Sequence, residues 1–84
     1  MKIHELKTWP VYFQAILDGD KFFEIRLDDR GYSVGDLLFL REWKPDRLIP
    51  RYTGREMVVQ VTFILREHLE EGYCCMGIKP HQIP

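Results

Sequence analysis

The chain has 84 residues, of which 45% are hydrophobic and 30% charged, and its net charge is −1. This length accommodates one domain, and the mixed composition excludes a disordered or fibrous chain. The near-neutral charge argues against a protein that binds long polyanions through bulk positive charge. No apolar run approaches the ~20 residues that cross a bilayer, and the first residues do not resemble a signal peptide. We therefore expect a cytoplasmic protein.

The first predicted elements are a short strand, Ile3–Leu6, and a helix of about ten residues. Thr8 is expected to cap this helix and Pro10 to lie in its first turn, where a missing N–H costs nothing. Apolar side chains then recur at helical spacing and predict a face packed on the core: Trp9, Phe13, Ile16 and Leu17. Gly19 is expected to end the helix.

Every later element has the composition or the alternation of a β-strand. The predicted strands are Lys21–Leu27, Leu37–Trp43, Arg55–Arg66 and Tyr73–Lys79. In the longest of them, one face is expected to carry Met57, Val59, Val61, Phe63 and Leu65. Two prolines and a glycine predict a loop over Lys44–Gly54. One helix and about five to six strands predict an α+β fold, mostly β: a compact, curved sheet or a barrel, which can leave a groove where the N-terminal helix meets its rim.

Two adjacent cysteines, Cys74 and Cys75, are the only ones in the chain. Neighbouring strand residues point to opposite faces, and a disulfide between them needs a strained peptide, so two free thiols in a reducing compartment are predicted. The three histidines share no ligand-like spacing with the cysteines. We therefore expect neither a metal site nor a cofactor.

The most informative segment runs from the end of the helix into the second predicted strand. Lys21 precedes that strand, and Glu24 and Arg26 lie on one of its faces, because strand residues two apart point to the same side. A carboxylate accepts hydrogen bonds from the amino group of a base, and arginine offers a planar donor fork to a phosphate. On these residues alone, a solvent-exposed Glu24–Arg26 pair on the outer face is the simpler interpretation, and a ligand site is the alternative.

The spacing Gly19-x-Lys21-x-x-Glu24-x-Arg26 resembles the GxKxxExR signature of ASCH domains, members of the PUA-like superfamily. The resemblance to a small ASCH-like family of bacterial and phage proteins spans most of residues 3–79. It also rests on His4-x-Leu6-Lys7, Trp9-Pro10, Phe13, Asp29-Arg30, Val34-Gly35-Asp36 and Tyr52-Thr53-Gly54-Arg55.

This resemblance implies a PUA-like mixed β-barrel with a cleft beside the first helix that holds RNA or a nucleotide. It implies that Lys21 and Glu24 face the ligand and that Arg26 supports them from the same strand. Lys7 and Arg30 would then be contacts at the rim. No membrane partner is expected, and the sequence does not predict an oligomeric state.

One branch of ASCH proteins resembles an enzyme that removes an acyl group from a modified cytidine. That chemistry uses the signature lysine together with a threonine nucleophile three residues later. Glu24 occupies this position here, and a carboxylate is not an activated hydroxyl, although it is able to act as a general base. A binding module without a catalytic residue is therefore the first hypothesis, and a small amidohydrolase the alternative.

A central basic segment, residues 41–55, carries five basic against two acidic side chains. Its basic groups are interleaved with Trp43 and Tyr52, a combination that attracts a phosphate backbone and stacks on bases. A solvated hairpin whose arginines pair with nearby acids explains the same residues. A third hypothesis is therefore an adaptor that docks an acidic protein partner on this segment.

Overall fold

The computed structural model of the protein describes residues 1–81 and contains five strands and one helix. These are β1 (Ile3–Thr8), α1 (Pro10–Leu17), β2 (Phe23–Leu27), β3 (Leu37–Lys44), β4 (Arg51–Leu65) and β5 (Tyr73–Pro80). The strands form one sheet in the order β1-β3-β4-β5-β2. The β1–β3 pair is parallel, because α1 and β2 intervene along the chain, and the other pairs are antiparallel. The sheet curls into a half-barrel, which confirms the predicted α+β, mostly-β class.

The hydrophobic core lies in the hollow of the half-barrel, under α1, which packs against β3. Strands β1, β3, β4 and β5 contribute alternate residues to it, as expected for a sheet with one buried face. Its buried apolar members are Leu6, Phe13, Ile16, Tyr32, Leu38, Leu40, Val59, Val61, Cys74, Met76 and Ile78. Strand β2 contributes none of these side chains, which leaves its inward face free for polar groups.

The start of α1 differs from the prediction. Thr8 does not cap the helix: it is the last residue of β1, it is buried, and its hydroxyl accepts a hydrogen bond from Arg26. Trp9 is the N-cap residue and makes no side-chain capping bond, while Pro10 lies in the first turn as predicted. Gly19 ends the helix as predicted, in a left-handed conformation (φ 77°) that glycine adopts without strain.

The predicted apolar face of α1 is only half right. Phe13 and Ile16 are buried, but Trp9 and Leu17 are more than half exposed. An eight-residue helix presents little more than two turns to the sheet, so only the two central apolar residues reach the core.

The predicted loop over Lys44–Gly54 is too long. Strand β3 continues to Lys44 and β4 begins at Arg51, so only residues 45–50 connect them. The extra pairing contains a cross-strand contact of the Trp43 and Tyr52 rings, whose centroids are 4.8 Å apart. Aromatic pairs of this kind stabilise a hairpin, and they outweigh the loop propensity of the segment.

Strand β4 changes its buried face half-way along its length. Val59 and Val61 are buried, but Phe63 and Leu65 are exposed, contrary to the single apolar face predicted. The β4–β5 register shifts between Val61 and Phe63, and one extra residue in a strand moves every later side chain to the other face. Ile64 packs against the core instead.

A buried polar cluster fastens the start of β1 to the turn before β3. The Asp36 carboxylate accepts hydrogen bonds from the backbone N–H groups of Lys2 and Ser33 and lies 2.8 Å from Nε2 of His4. Burial by itself raises the pKa of Asp36, but these hydrogen bonds outweigh it and lower the pKa to about 2. The His4 ring in turn contacts Tyr32 edge-on.

Neither cysteine forms a disulfide, as predicted, and burial raises the pKa of the Cys74 thiol. A raised pKa leaves less of the reactive thiolate at neutral pH. Across residues 1–81, no helix has both the length and the apolar character that a membrane-spanning helix needs. The same residues contain no group of three His, Cys, Asp or Glu side chains arranged to hold a metal ion.

Candidate functional site

The turn after α1 places Lys21 beside the helix. Gly19 reverses the chain, and the backbone N–H of Lys21 then donates to the carbonyl of Ala15 at 3.1 Å. The ammonium of Lys21 consequently lies 5.6 Å from the centre of the Tyr12 ring and 4.9 Å from that of Phe23. These distances are typical of cation–π contacts. The turn at Gly19 therefore determines where the side chain of Lys21 lies.

The three signature side chains, Lys21, Glu24 and Arg26, converge on one point. Glu24 is 4% exposed, and its two oxygens accept from different cations: Oε2 from Nζ of Lys21 at 2.9 Å, and Oε1 from Nη2 of Arg26 at 3.3 Å. Nζ of Lys21 also donates to the backbone carbonyl of Phe23. The interpretation as a solvent-exposed pair on the outer face is thus wrong, because this face of β2 turns into the half-barrel.

The apolar side chains of β2 point the other way. Phe23, Ile25 and Leu27 are about half exposed, although apolar strand residues ordinarily face the core. Strand β2 lies at the edge of the sheet, and its inward face is used by Glu24 and Arg26. The alternation of apolar and polar residues along β2 agrees with the prediction. The polar residues, Glu24 and Arg26, are the ones that face into the half-barrel.

Side chains join the two edge strands of the half-barrel where backbone hydrogen bonds do not. Nη2 of Arg26 on β2 donates to the hydroxyl of Thr8 on β1 at 3.3 Å. Further along, Nη1 of Arg30 donates to the backbone carbonyl of Glu5 at 3.2 Å. We call this boundary between β1 and β2 the seam.

A cleft of about 340 Å³ opens at the seam beside α1. Its lining residues are Lys7, Thr8, Trp9, Tyr12, Lys21, Phe23, Glu24, Ile25 and Arg26. Three of them are aromatic and substantially exposed: Trp9 (52%), Tyr12 (49%) and Phe23 (45%). We call this the aromatic cleft. Rings that remain half exposed beside a charged floor offer flat apolar surfaces to a ligand.

The two rim residues predicted from the sequence behave differently. Lys7 lines the aromatic cleft, and its ammonium lies 4.1 Å from the centre of the Trp43 ring. Arg30 does not line this cleft, and it lies further along the seam, in a neighbouring depression. The structure therefore brings Lys7, Lys21, Glu24 and Arg26 together and leaves Arg30 outside.

The charges of the aromatic cleft favour an anionic ligand. Three cations line it against the single carboxylate of Glu24. Arg26 uses two of its five N–H donors on Glu24 and Thr8, which leaves three for a ligand. Each oxygen of Glu24 accepts one hydrogen bond from a cation. It is able to accept a second one, because a carboxylate oxygen has two lone pairs. The cleft therefore presents cationic hydrogen-bond donors and a carboxylate acceptor side by side.

The site residues predicted from the sequence do not include five of the lining residues: Thr8, Trp9, Tyr12, Phe23 and Ile25. Thr8 was assigned to a helix cap, and Trp9 and Phe23 to apolar faces. One signal was available in the sequence, since Trp9 and Tyr12 are three residues apart on a helix and therefore adjoin. Their rings stack at a centroid distance of 6.4 Å.

The central basic segment has its charges largely satisfied. Arg41 pairs with Glu5 and Glu56 at 3.0 and 2.9 Å. Arg51 pairs with Asp46, and Arg55 lies 3.5 Å from Glu42. This is the solvated hairpin with paired arginines that the sequence left open as an alternative.

Two comparisons with known proteins place the chain among related sequences. It is 39% identical over 72 residues to an "Uncharacterized 12.9 kDa protein in GpA 3'region" of Escherichia phage P2, an alignment that covers 83% of this chain. The chain spans 62% of the length of that relative. A family profile described as "Domain of unknown function (DUF3850)" matches residues 3–78, which is nearly the whole chain. The protein therefore belongs to the DUF3850 family.

Proposed function

We propose that the protein is a non-enzymatic binding module that holds a nucleotide, free or within RNA, in the aromatic cleft. The observation that supports this function is the meeting of three cations and one buried carboxylate with three half-exposed aromatic rings. Lys21 or Arg26 binds a phosphate, a ring of Trp9 or Tyr12 stacks on the base, and Glu24 accepts from the base. The ASCH-like spacing of these charged residues implies the same ligand class, and a cytoplasmic location is part of the proposal.

Two features make this function a better fit than the alternatives. The acyl-transfer chemistry of the ASCH enzymes needs an activated hydroxyl, and here its position is occupied by Glu24, whose two oxygens are paired with Lys21 and Arg26. An adaptor needs unpaired positive charge on the central basic segment, whereas Arg41, Arg51 and Arg55 have acidic neighbours. Incubation of the protein with acylated nucleosides tests the hydrolase directly, and we expect no turnover.

The first prediction concerns Lys21. We expect Lys21→Ala to weaken the binding of nucleoside monophosphates and short RNA about tenfold, because a charge-assisted contact to phosphate is lost. The slope of log affinity against log salt concentration should fall by about one. Titrations followed by tryptophan fluorescence, repeated between low and moderate salt, measure both quantities.

Arg47→Ala is the matched control, since this exposed arginine of the β3–β4 loop lies outside the cleft. It removes one positive charge from the chain without touching the lining residues, and should leave affinity almost unchanged. Thermal unfolding of both variants shows whether they remain folded. Absence of nucleotide binding by the unmodified protein, or equal affinities and salt slopes for Lys21→Ala and the parent, would contradict the proposed function.

A further inference from the structure

A second depression adjoins the aromatic cleft on the seam. It encloses about 450 Å³ and is lined by Glu5, Leu6, Lys7, Arg26, Arg30 and Tyr52. We call it the basic cleft. Lys7 and Arg26 line both clefts, so these two cations lie where the clefts adjoin, and we refer to the two clefts together as the groove. The groove extends along the facing edges of β1 and β2.

The basic cleft has an excess of positive charge among its lining residues, and within residues 1–81 only Arg26 of its three cations is paired with an acid, Glu24. Its three cations, Lys7, Arg26 and Arg30, face a single acid, Glu5, whose carboxylate is engaged by Arg41. Arg30 uses one N–H on the Glu5 carbonyl and keeps further donors for a ligand. A second anionic group is the natural occupant of this end of the groove.

The ends of the groove are suited to different parts of a nucleic acid strand. The aromatic cleft offers flat rings, and Lys7 and Arg26 lie between the two clefts. The basic cleft offers Arg30 beside Tyr52, which is 37% exposed and whose ring is covered on one face by the Arg41 guanidinium, 3.7 Å from its centre. Aromatic rings beside a row of cations are the arrangement by which proteins hold single strands. A mononucleotide fills only the first of these clefts.

We propose that the seam binds a single strand of nucleic acid across at least two consecutive nucleotides. One base occupies the aromatic cleft, the connecting phosphate lies against Lys7 and Arg26, and the next nucleoside lies against Arg30 and Tyr52. This inference rests on the proposed function, and it specifies the ligand as an oligonucleotide strand. An acidic peptide is the competing occupant, because it would satisfy the same cations without using the rings.

Three probes separate the steps of this proposal. A nucleoside 5′-monophosphate fills the aromatic cleft alone. A nucleoside 3′,5′-bisphosphate adds the connecting phosphate, and a 5′-phosphorylated dinucleotide adds the second nucleoside. We expect the bisphosphate to bind about fivefold more tightly than the monophosphate, and the dinucleotide about tenfold more tightly than the bisphosphate, the last step reflecting contact of the second base. Isothermal titration calorimetry measures all three affinities.

Two variants address the basic cleft alone. Arg30→Ala and Tyr52→Leu should each remove most of the advantage of the dinucleotide over the bisphosphate, while leaving the affinity for the monophosphate within twofold of the parent. Arg30→Gln repeats the first test if the alanine variant unfolds, and Arg47→Ala is again the control. Lys21→Ala should weaken all three probes equally, because every probe occupies the aromatic cleft.

The possible failures are distinguishable. If the monophosphate binds and depends on Lys21, but the dinucleotide binds no more tightly than the bisphosphate and Arg30→Ala has no effect, this inference is wrong and the proposed function stands. If none of the three probes binds, the proposed function fails as well. If a tetraglutamate peptide competes with the dinucleotide at equal concentration, the groove is a peptide site and the assignment to nucleic acid is overturned.

Discussion

Replacing Glu24 with glutamine will lower the free energy of unfolding by about 3 kcal/mol, the cost of breaking a buried ion pair on one side. The carboxylate separates two cations, Lys21 and Arg26, whose side chains are only 13% and 23% exposed. Glutamine keeps one acceptor oxygen but turns an amide N–H₂ toward one of the cations. It also removes the only negative charge among the residues that line the aromatic cleft. The two cations then repel one another in a partly buried place.

Urea denaturation followed by tryptophan fluorescence measures this loss. Glu67→Gln is the matched control, because Glu67 is exposed and the same change there should cost less than about 0.5 kcal/mol. Adding Lys21→Met to Glu24→Gln should recover about 1 kcal/mol, since the repulsion is then relieved. A Glu24→Gln variant as stable as the parent would show that the carboxylate does not hold the two cations together.

Replacing Asp36 with asparagine will destabilise the protein by about 2 kcal/mol at neutral pH. The carboxylate accepts from the backbone N–H groups of Lys2 and Ser33 and from His4, and no asparagine rotamer presents acceptors to all three donors. The fall of its pKa from 3.8 to about 2 corresponds to roughly 2 kcal/mol of stabilisation of the folded state.

The pH dependence of this effect has a definite sign. A carboxyl whose pKa is lower in the folded than in the unfolded chain stabilises the fold above its unfolded pKa, and this contribution is lost as the pH falls through the folded value. The difference in stability between Asp36→Asn and the parent should therefore shrink as the pH falls from about 4 to 2. Urea titrations across this range measure it, with the exposed Asp29→Asn as the control. A difference that does not change with pH would contradict the assignment.

Structural features that depend only on residues close together in the chain could be predicted from the sequence. Gly19 ends the helix because it adopts positive φ, and Glu24 and Arg26 share a face because the strand period is two. Strands β3 and β5 follow from their composition, and their bounds are wrong by one residue at most. The convergence of Lys21 with this pair also depends only on neighbouring residues.

Features that depend on distant residues could not be predicted. The burial of Glu24 follows from the sheet order, which brings β1 opposite β2 and Thr8 within hydrogen-bond distance of Arg26. The exposure of Trp9 follows from the packing of a short α1 on β3. The change of face in β4 follows from a register shift against β5, which no alternation within one strand reveals.

The bonded trio of Lys21, Glu24 and Arg26 has a consequence for the binding of the proposed ligand. Long cationic side chains ordinarily lose rotamer freedom when a ligand immobilises them, which reduces affinity. Here Glu24 already restrains both cations, so that entropy is lost during folding and not during association. The site is preorganised, and complex formation should proceed without rearrangement of its charged floor.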